Sequence, residues 1–189
     1  MGYKFTSREV EDKIALSVKN ILFYLGQDMQ DENLKGTPLR VAKYLMEFIN
    51  YDPGAVDTTF ESIQTDQMVI VKDIPFWSLC SHHLLAFRGN ISVGYLTGSK
   101  VIGLSKVARI VQKHSHKFQL QEKLGNEIVD ELEGILDDSP GLGILIRAQH
   151  SCMQMRGIKS DGWMITSVLR GQFRDDPNLK SEFLMLAKE

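Results

Sequence analysis

The chain of 189 residues has the length of one domain with a real buried core, and 43% hydrophobic with 24% charged residues is the composition of an ordinary soluble globular protein. A net charge of -2 argues against nonspecific nucleic-acid binding as its main task, since that needs a dominant basic face. Two cysteines cannot build a disulfide framework, and no apolar run approaches the roughly 20 residues that span a bilayer, so neither a membrane nor a nucleic acid is an expected partner.

The first residues carry Lys4, Arg8 and several acids before any apolar stretch, which is not the pattern of a secretory signal, and a reducing cytoplasm is the expected location. Residues 1–6 also fit the loose glycine-then-threonine pattern of myristoylation, with nothing polybasic after it. From 8 to 25, Val10, Ile14, Val18, Ile21, Leu22 and Leu25 recur at helical spacing, and Gly26 is a natural stop. A second helix is predicted to start at Thr37 as N-cap, with Pro38 in its first turn and Val41, Tyr44, Leu45 and Phe48 on one face. Asp52-Pro53-Gly54 then breaks the chain, dividing an N-terminal helical segment, 1–55, from a single compact unit, 56–189.

In the second part, strands are predicted near 68–71 and 90–96, on either side of "CSHHLLAFRG". Helices follow at 105–113 and 120–136, strands at 143–155 and 164–169, and a last helix at 179–188. Strands and helices coexist without regular alternation, so the expected class is α+β.

The chemistry gathers in a few stretches. Cys80 and His83 stand three apart in a predicted turn, a spacing that lets both point at one metal ion; spacing alone does not decide between His82 and His83 as the ligand, but the three-residue separation favours His83 and leaves His82 free to move protons. A buried free thiol beside structural histidines is the plain alternative for that loop taken alone. "QHSCMQMRG" shifts the balance: His150 and Cys152, two apart in a predicted strand, share a face and bring a third soft ligand. Cys80, His83 and Cys152 would leave one tetrahedral position open on zinc, with His82 and His150 flanking it as proton carriers.

Ser105 is predicted to cap a helix whose first turns carry Lys106 and Arg109, an arrangement suited to phosphate. Arg40 and Lys43 lie on the second helix, and Arg156 follows Cys152 closely; singly each is a solvated cation, together they suggest a polyphosphate. Gln121 and Glu122 open a helix, and a carboxylate there suits the paired donors of a guanine edge.

"CSHHLLAF", "VIGLSKVARIVQ", "QLQEKL" and "HSCMQMRGI", in this order, resemble the GTP cyclohydrolase I family from about Thr37 to the C-terminus. The resemblance implies a T-fold, an antiparallel sheet with helices packed on one face, assembled as a homodecamer with active sites between subunits. It implies Zn2+ on Cys80, His83 and Cys152, and hydrolysis of GTP at C8 to formate and 7,8-dihydroneopterin triphosphate. By the same resemblance His82, His150 and Ser105 would move protons, Gln121 and Glu122 would hold the guanine, and Lys43, Lys106, Arg109 and Arg156 would bind the triphosphate, with Arg40 beside Lys43 on the same helix.

The sequence departs from the family pattern in places. Ser81 stands where the family loop has glutamate, Ala86 where proline is usual, Lys117 and Lys123 where arginines are common, and Arg147 where an acid is frequent; "KSDGWMITSV" is less threonine-rich than usual. Two other readings therefore stand beside the enzyme: a catalytically impaired paralogue that binds zinc and GTP, favoured by Ser81, and a structural zinc domain, which needs a fourth protein ligand.

Overall fold

The computed structural model describes residues 7–63 and 67–188, so the glycine-then-threonine pattern at the N-terminus lies outside the described residues. The chain divides between Tyr51 and Asp52 into two compact units. The first holds α1 (Ser7–Tyr24) and α2 (Thr37–Ile49). Gly26, at φ 73, ends α1 in a Schellman turn, with its N–H on Phe23 O and the Gln27 N–H on Leu22 O. α2 is capped by Gly36 rather than by Thr37, which is already helical and donates its hydroxyl back to Asn33 O at 3.3 Å.

The second unit runs β1 (Thr59–Glu61), β2 (Met68–Cys80), β3 (Ala86–Leu96), β4 (Lys100–Ile102), α3 (Leu104–Ser115), β5 (Phe118–Gln119) and α4 (Gln121–Ile135). It continues with β6 (Gly141–His150), α5 (Ser151–Gln154), β7 (Met164–Gly171), α6 (Gln172–Asp175) and α7 (Pro177–Lys188). The main sheet has the order β5-β2-β3-β6-β7, antiparallel except where the short β5 joins β2, and β1 pairs with β4 apart from it. Alternation along the strands sends Ile91, Val93 and Tyr95 of β3 and Ile144 and Ile146 of β6 to one face. There they bury against Val107, Ile110 and Val111 of α3 and Leu124, Ile128 and Leu132 of α4. This is the α+β T-fold arrangement, with both long helices on one face.

The opposite face is covered at one end by α7. Gly94 and Gly143 face each other across β3 and β6, and a Cβ on either would lie 2.7 or 2.9 Å from the Phe183 ring. The glycine pair makes the hollow in which Phe183 is fully buried, a contribution of about 1.5–3 kcal/mol.

Three expectations shift. β2 extends from Met68 to Cys80 because a bulge between Val71 and Ile74, with Asp73 at φ 56, carries the strand through the polar Lys72-Asp73 step. α3 begins at Leu104 with Gly103 as its cap, so Ser105 is the second helical residue rather than the cap. β6 ends at His150, because its pairing with β3 stops at Phe87 and that with β7 at Met164; Cys152 therefore sits in the single helical turn α5, not on the strand.

A charged cluster ties α3 to α4 beneath β5. Glu131 accepts from Lys113 Nζ at 2.7 Å and lies 2.5 Å from His114 Nε2, while Glu127 takes Lys117 and the Gln119 amide, each at 2.7 Å. Burial pushes the Glu131 carboxyl up, but the hydrogen bonds and charges of Lys113 and His114 outweigh it and hold it below its ordinary value of 4.5. The folded value is depressed, so this stability is present above 4.5 and is lost as pH falls through the lowered value. Glu131→Gln is expected to cost about 1–3 kcal/mol in urea unfolding at pH 7, with the gap from the parent narrowing in acid. Equal midpoints at pH 7 would contradict this role.

Candidate active site

β2 delivers Cys80 to a tight turn before β3. The Cys80 N–H bonds Leu85 O at 2.8 Å, and Cys80 O accepts from the His83 and Leu84 amides, which curls the turn and leaves Ser81, His82, His83 and Leu84 exposed. Leu84 closes it in the left-handed region, φ 57, at a cost of roughly 1–2 kcal/mol. Two features hold the loop despite the departures in sequence. The Ser81 N–H donates to Gln119 O at 3.1 Å, and Ala86 is already in the ladder opposite Leu79, so strand pairing restrains the backbone there.

The Cys80 Sγ lies 3.9 Å from Cys152 Sγ and 3.7 Å from His83 Nδ1. Tetrahedral zinc with ordinary bond lengths would set those edges at about 3.8 and 3.6 Å. Those two edges suit zinc, and the His83 nitrogen nearest Cys80 is Nδ1. Burial, then the neighbouring Cys80, push the Cys152 thiol up, while Arg156 pulls it down slightly. Two thiols this close ionise together only beside a cation, which is what a metal supplies. Among the described residues the donors that all lie within 4.8 Å of one another are those of Cys80, His82 and His83, and Cys152 meets this group at Cys80.

His150, the last residue of β6, stacks on Phe87 with ring centroids 4.5 Å apart and planes 5° off parallel. Burial lowers its pKa below 6.5 and the nearby Glu122 carboxylate partly opposes that. The imidazole is thus held towards its neutral form. Gln121, expected at the guanine edge, is turned inward instead and is 1% exposed. Its Nε2 donates to Met164 O and to Thr166 Oγ1, both at 3.1 Å, and its Oε1 lies 2.9 Å from His150 Nε2. Glu122 is exposed in the first turn of α4, where the helix dipole favours a carboxylate. It acts on the His150 of its own chain.

The cations fall in three places. Lys106 Nζ and Arg109 Nη1 converge on the Ala55 carbonyl, at 3.1 and 3.3 Å. Arg156 is exposed just beyond α5, on the cysteine side. Lys43 and Arg40 are exposed on α2, in the first unit. Within the second unit the two groupings lie at opposite ends of α3. Its C-terminal end leads to Lys117, whose carbonyl accepts from Leu79 beside Cys80, while Lys106 lies nine residues before Ser115, about 14 Å up the axis. The structure gathers Cys80, His82, His83, Cys152, His150, Gln121, Glu122 and Arg156, and sets Ser105, Lys106 and Arg109 apart.

Sequence reasoning missed Phe87 and Thr166. Alternation from Ala86 through β3 could have placed Phe87 under the site, whereas nothing local to Thr166 signals its bond to Gln121. Two departures explain each other: the Arg147 guanidinium stacks over Trp163 at 4.2 Å, so the unusual cation and the unusual segment form one contact. Lys117 and Lys123 both reach the Glu127 carboxylate, at 2.7 and 3.4 Å.

The model of the family described as GTP cyclohydrolase I matches residues 14–188. A protein of Dehalococcoides mccartyi named GTP cyclohydrolase 1 is 41% identical over 186 residues, covering 95% of this chain and 97% of its own. Proteins of the same name from Hydrogenobaculum sp. and Hahella chejuensis are each 41% identical, over 95% and 93% of this chain and 98% and 95% of their own. The motifs in their order and matches over nearly the whole chain converge: the chain belongs to the GTP cyclohydrolase I family.

Proposed function

We propose that the protein hydrolyses GTP at C8, releasing formate and forming 7,8-dihydroneopterin triphosphate, as a zinc enzyme of the cytoplasm. The observation that carries this reading is the approach of both Cys152 and His83 to Cys80, at 3.9 and 3.7 Å, beside an imidazole held towards neutrality. Zinc, when bound by those three residues, supplies Lewis acidity towards the water that adds to C8. Glu122 accepts the two parallel donors of the guanine edge and so orients C8. His150 takes a proton in its neutral form and returns it to the leaving nitrogen, and His82, exposed on the loop, exchanges protons with solvent. Ser105 serves proton transfer at the sugar as the ribose rearranges, and Lys43, Lys106, Arg109 and Arg156 bind the triphosphate.

The separation of the two groupings along α3 supports a site completed by a second copy of the chain. Lys106 and Arg109, about 14 Å along α3 from its cysteine end, would in such an assembly serve the triphosphate of a neighbour's site. A homodecamer supplies such contacts by symmetry. No helix among the described residues is long and apolar enough to cross a membrane.

Purified, zinc-loaded protein incubated with GTP is expected to release formate and an oxidisable, fluorescent pterin in equal amounts. Zinc-bound protein yielding neither would sink the proposal. The closeness of His82 to Cys80 and His83 favours one rival, the structural zinc domain with four protein ligands. In the enzymatic reading His82→Ala keeps its zinc and loses turnover, whereas loss of the zinc would support the structural reading.

A further inference from the structure

Gln121 has an amide whose orientation is dictated by its surroundings. Its Nε2 faces Met164 O at 3.1 Å, Ile146 O at 3.5 Å and Thr166 Oγ1 at 3.1 Å. Two of these are carbonyl oxygens, which only accept, so an amide oxygen in that position would meet lone pairs on both. The nitrogen must therefore face the strands and Oε1 must face His150. An amide oxygen also only accepts, so His150 Nε2, 2.9 Å away, must carry a hydrogen. In the neutral ring that leaves the lone pair on Nδ1, which has no protein partner among the described residues. The stack on Phe87, 5° from parallel, fixes the plane of the ring, and a half-turn within that plane would put Cε1 in place of Nε2 and lose the bond to Gln121.

We infer that Gln121, held by Thr166 and by the backbone of β6 and β7, is a positioning residue that fixes the His150 ring by accepting from its Nε2–H and leaves Nδ1 as the nitrogen without a protein partner. The inference rests on the proposed function for its catalytic meaning, though the tautomer itself does not. One consequence is that Gln121 contributes nothing to holding guanine, which falls to Glu122. The arrangement has the logic of a histidine base oriented by a third group, with a neutral amide in place of the usual carboxylate. A neutral acceptor fixes the tautomer without adding a negative charge beside the two cysteine sulfurs.

Two measurements on the zinc-loaded protein test this. The first is nitrogen NMR of histidine-labelled protein, with His150 assigned by its loss in His150→Asn; the expected spectrum has a protonated Nε2 and an unprotonated Nδ1, and the reverse would overturn the inference. It needs no turnover, so it reads the tautomer even if GTP proves not to be the substrate. The second compares kinetics on GTP. Gln121→Leu is expected to lower kcat by about 10²-fold with KM little changed, and Thr166→Val to lower kcat in the same sense but less. A raised KM with kcat intact in both would return Gln121 to guanine binding and overturn the inference. Since Thr166→Val removes only a hydroxyl, it keeps the test available if the Gln121 variant does not fold.

Discussion

Cys152→Ser is expected to bring the zinc content of the purified protein to background and to lower formate release from GTP by more than about 10²-fold. That bound is the loss usually seen when only a residue supporting a metal ligand is removed, and in this variant a ligand itself goes. Serine keeps the size of the side chain but does not ionise near neutral pH, so Cys80 and His83 remain as a two-donor site. The fold should survive, because Cys152 is only partly buried, in a single helical turn at the edge of the core. Metal analysis, unfolding and formate assay on the same preparation check all three points. Full zinc and full activity would show that the ligand set is wrong.

The second large effect belongs to the far end of α3. Lys106→Ala with Arg109→Ala is expected to lower kcat/KM for GTP by about 10² or more, carried mainly by KM, since each charge-assisted hydrogen bond to phosphate contributes about 1.5–3 kcal/mol. Zinc content should stay at the parent level, because the proposed metal ligands lie at the other end of the helix. The cost in stability should be small, since the bonds these side chains now make are exposed ones to a single loop carbonyl. A fall in kcat with unchanged KM would remove them from the triphosphate. The contrast with Cys152→Ser, zinc lost in one variant and kept in the other, separates the two halves of the site.

How far the sequence revealed this arrangement depended on the range over which each residue's surroundings are set. The helices were legible because their apolar residues repeat every three or four positions, and α1, α3 and α4 begin and end within two residues of the expected bounds. β2 was read at barely a third of its length, because a bulge at Asp73 hides a continuous strand behind two polar residues. The donors of the candidate metal centre were legible as types and spacings, yet the reason Cys152 reaches Cys80 was misplaced. It comes from a helical turn that starts where β6 loses both neighbours, and pairing partners 60 residues away are not written into local pattern.

Gln121 shows the same limit from the other side. At the start of a helix beside Glu122 it reads as a surface contact for substrate, and only the arrival of β6 and β7 beneath α4 turns it inward towards Met164 and Thr166. The helix position was local information, whereas the direction of the amide was not. Ser81 is the converse case. A missing carboxylate raised doubt about the loop, but the backbone bond from Ser81 to Gln119 and the pairing of Ala86 with Leu79 hold that loop without it.

The central claim is that the metal end of one chain works with the phosphate end of another, and subunit complementation tests it most directly. Cys152→Ser chains keep an intact α3 end, and Lys106→Ala/Arg109→Ala chains keep an intact metal end. Each variant alone is expected to be nearly inactive. Unfolded together in equal amounts and reassembled, they are predicted to recover activity at roughly a quarter of the parent's sites, the fraction that random assortment around a symmetric ring makes whole. Mixed assemblies verified by mass that show no activity above the two parents would contradict the claim, and would place every catalytic residue of a site on one chain.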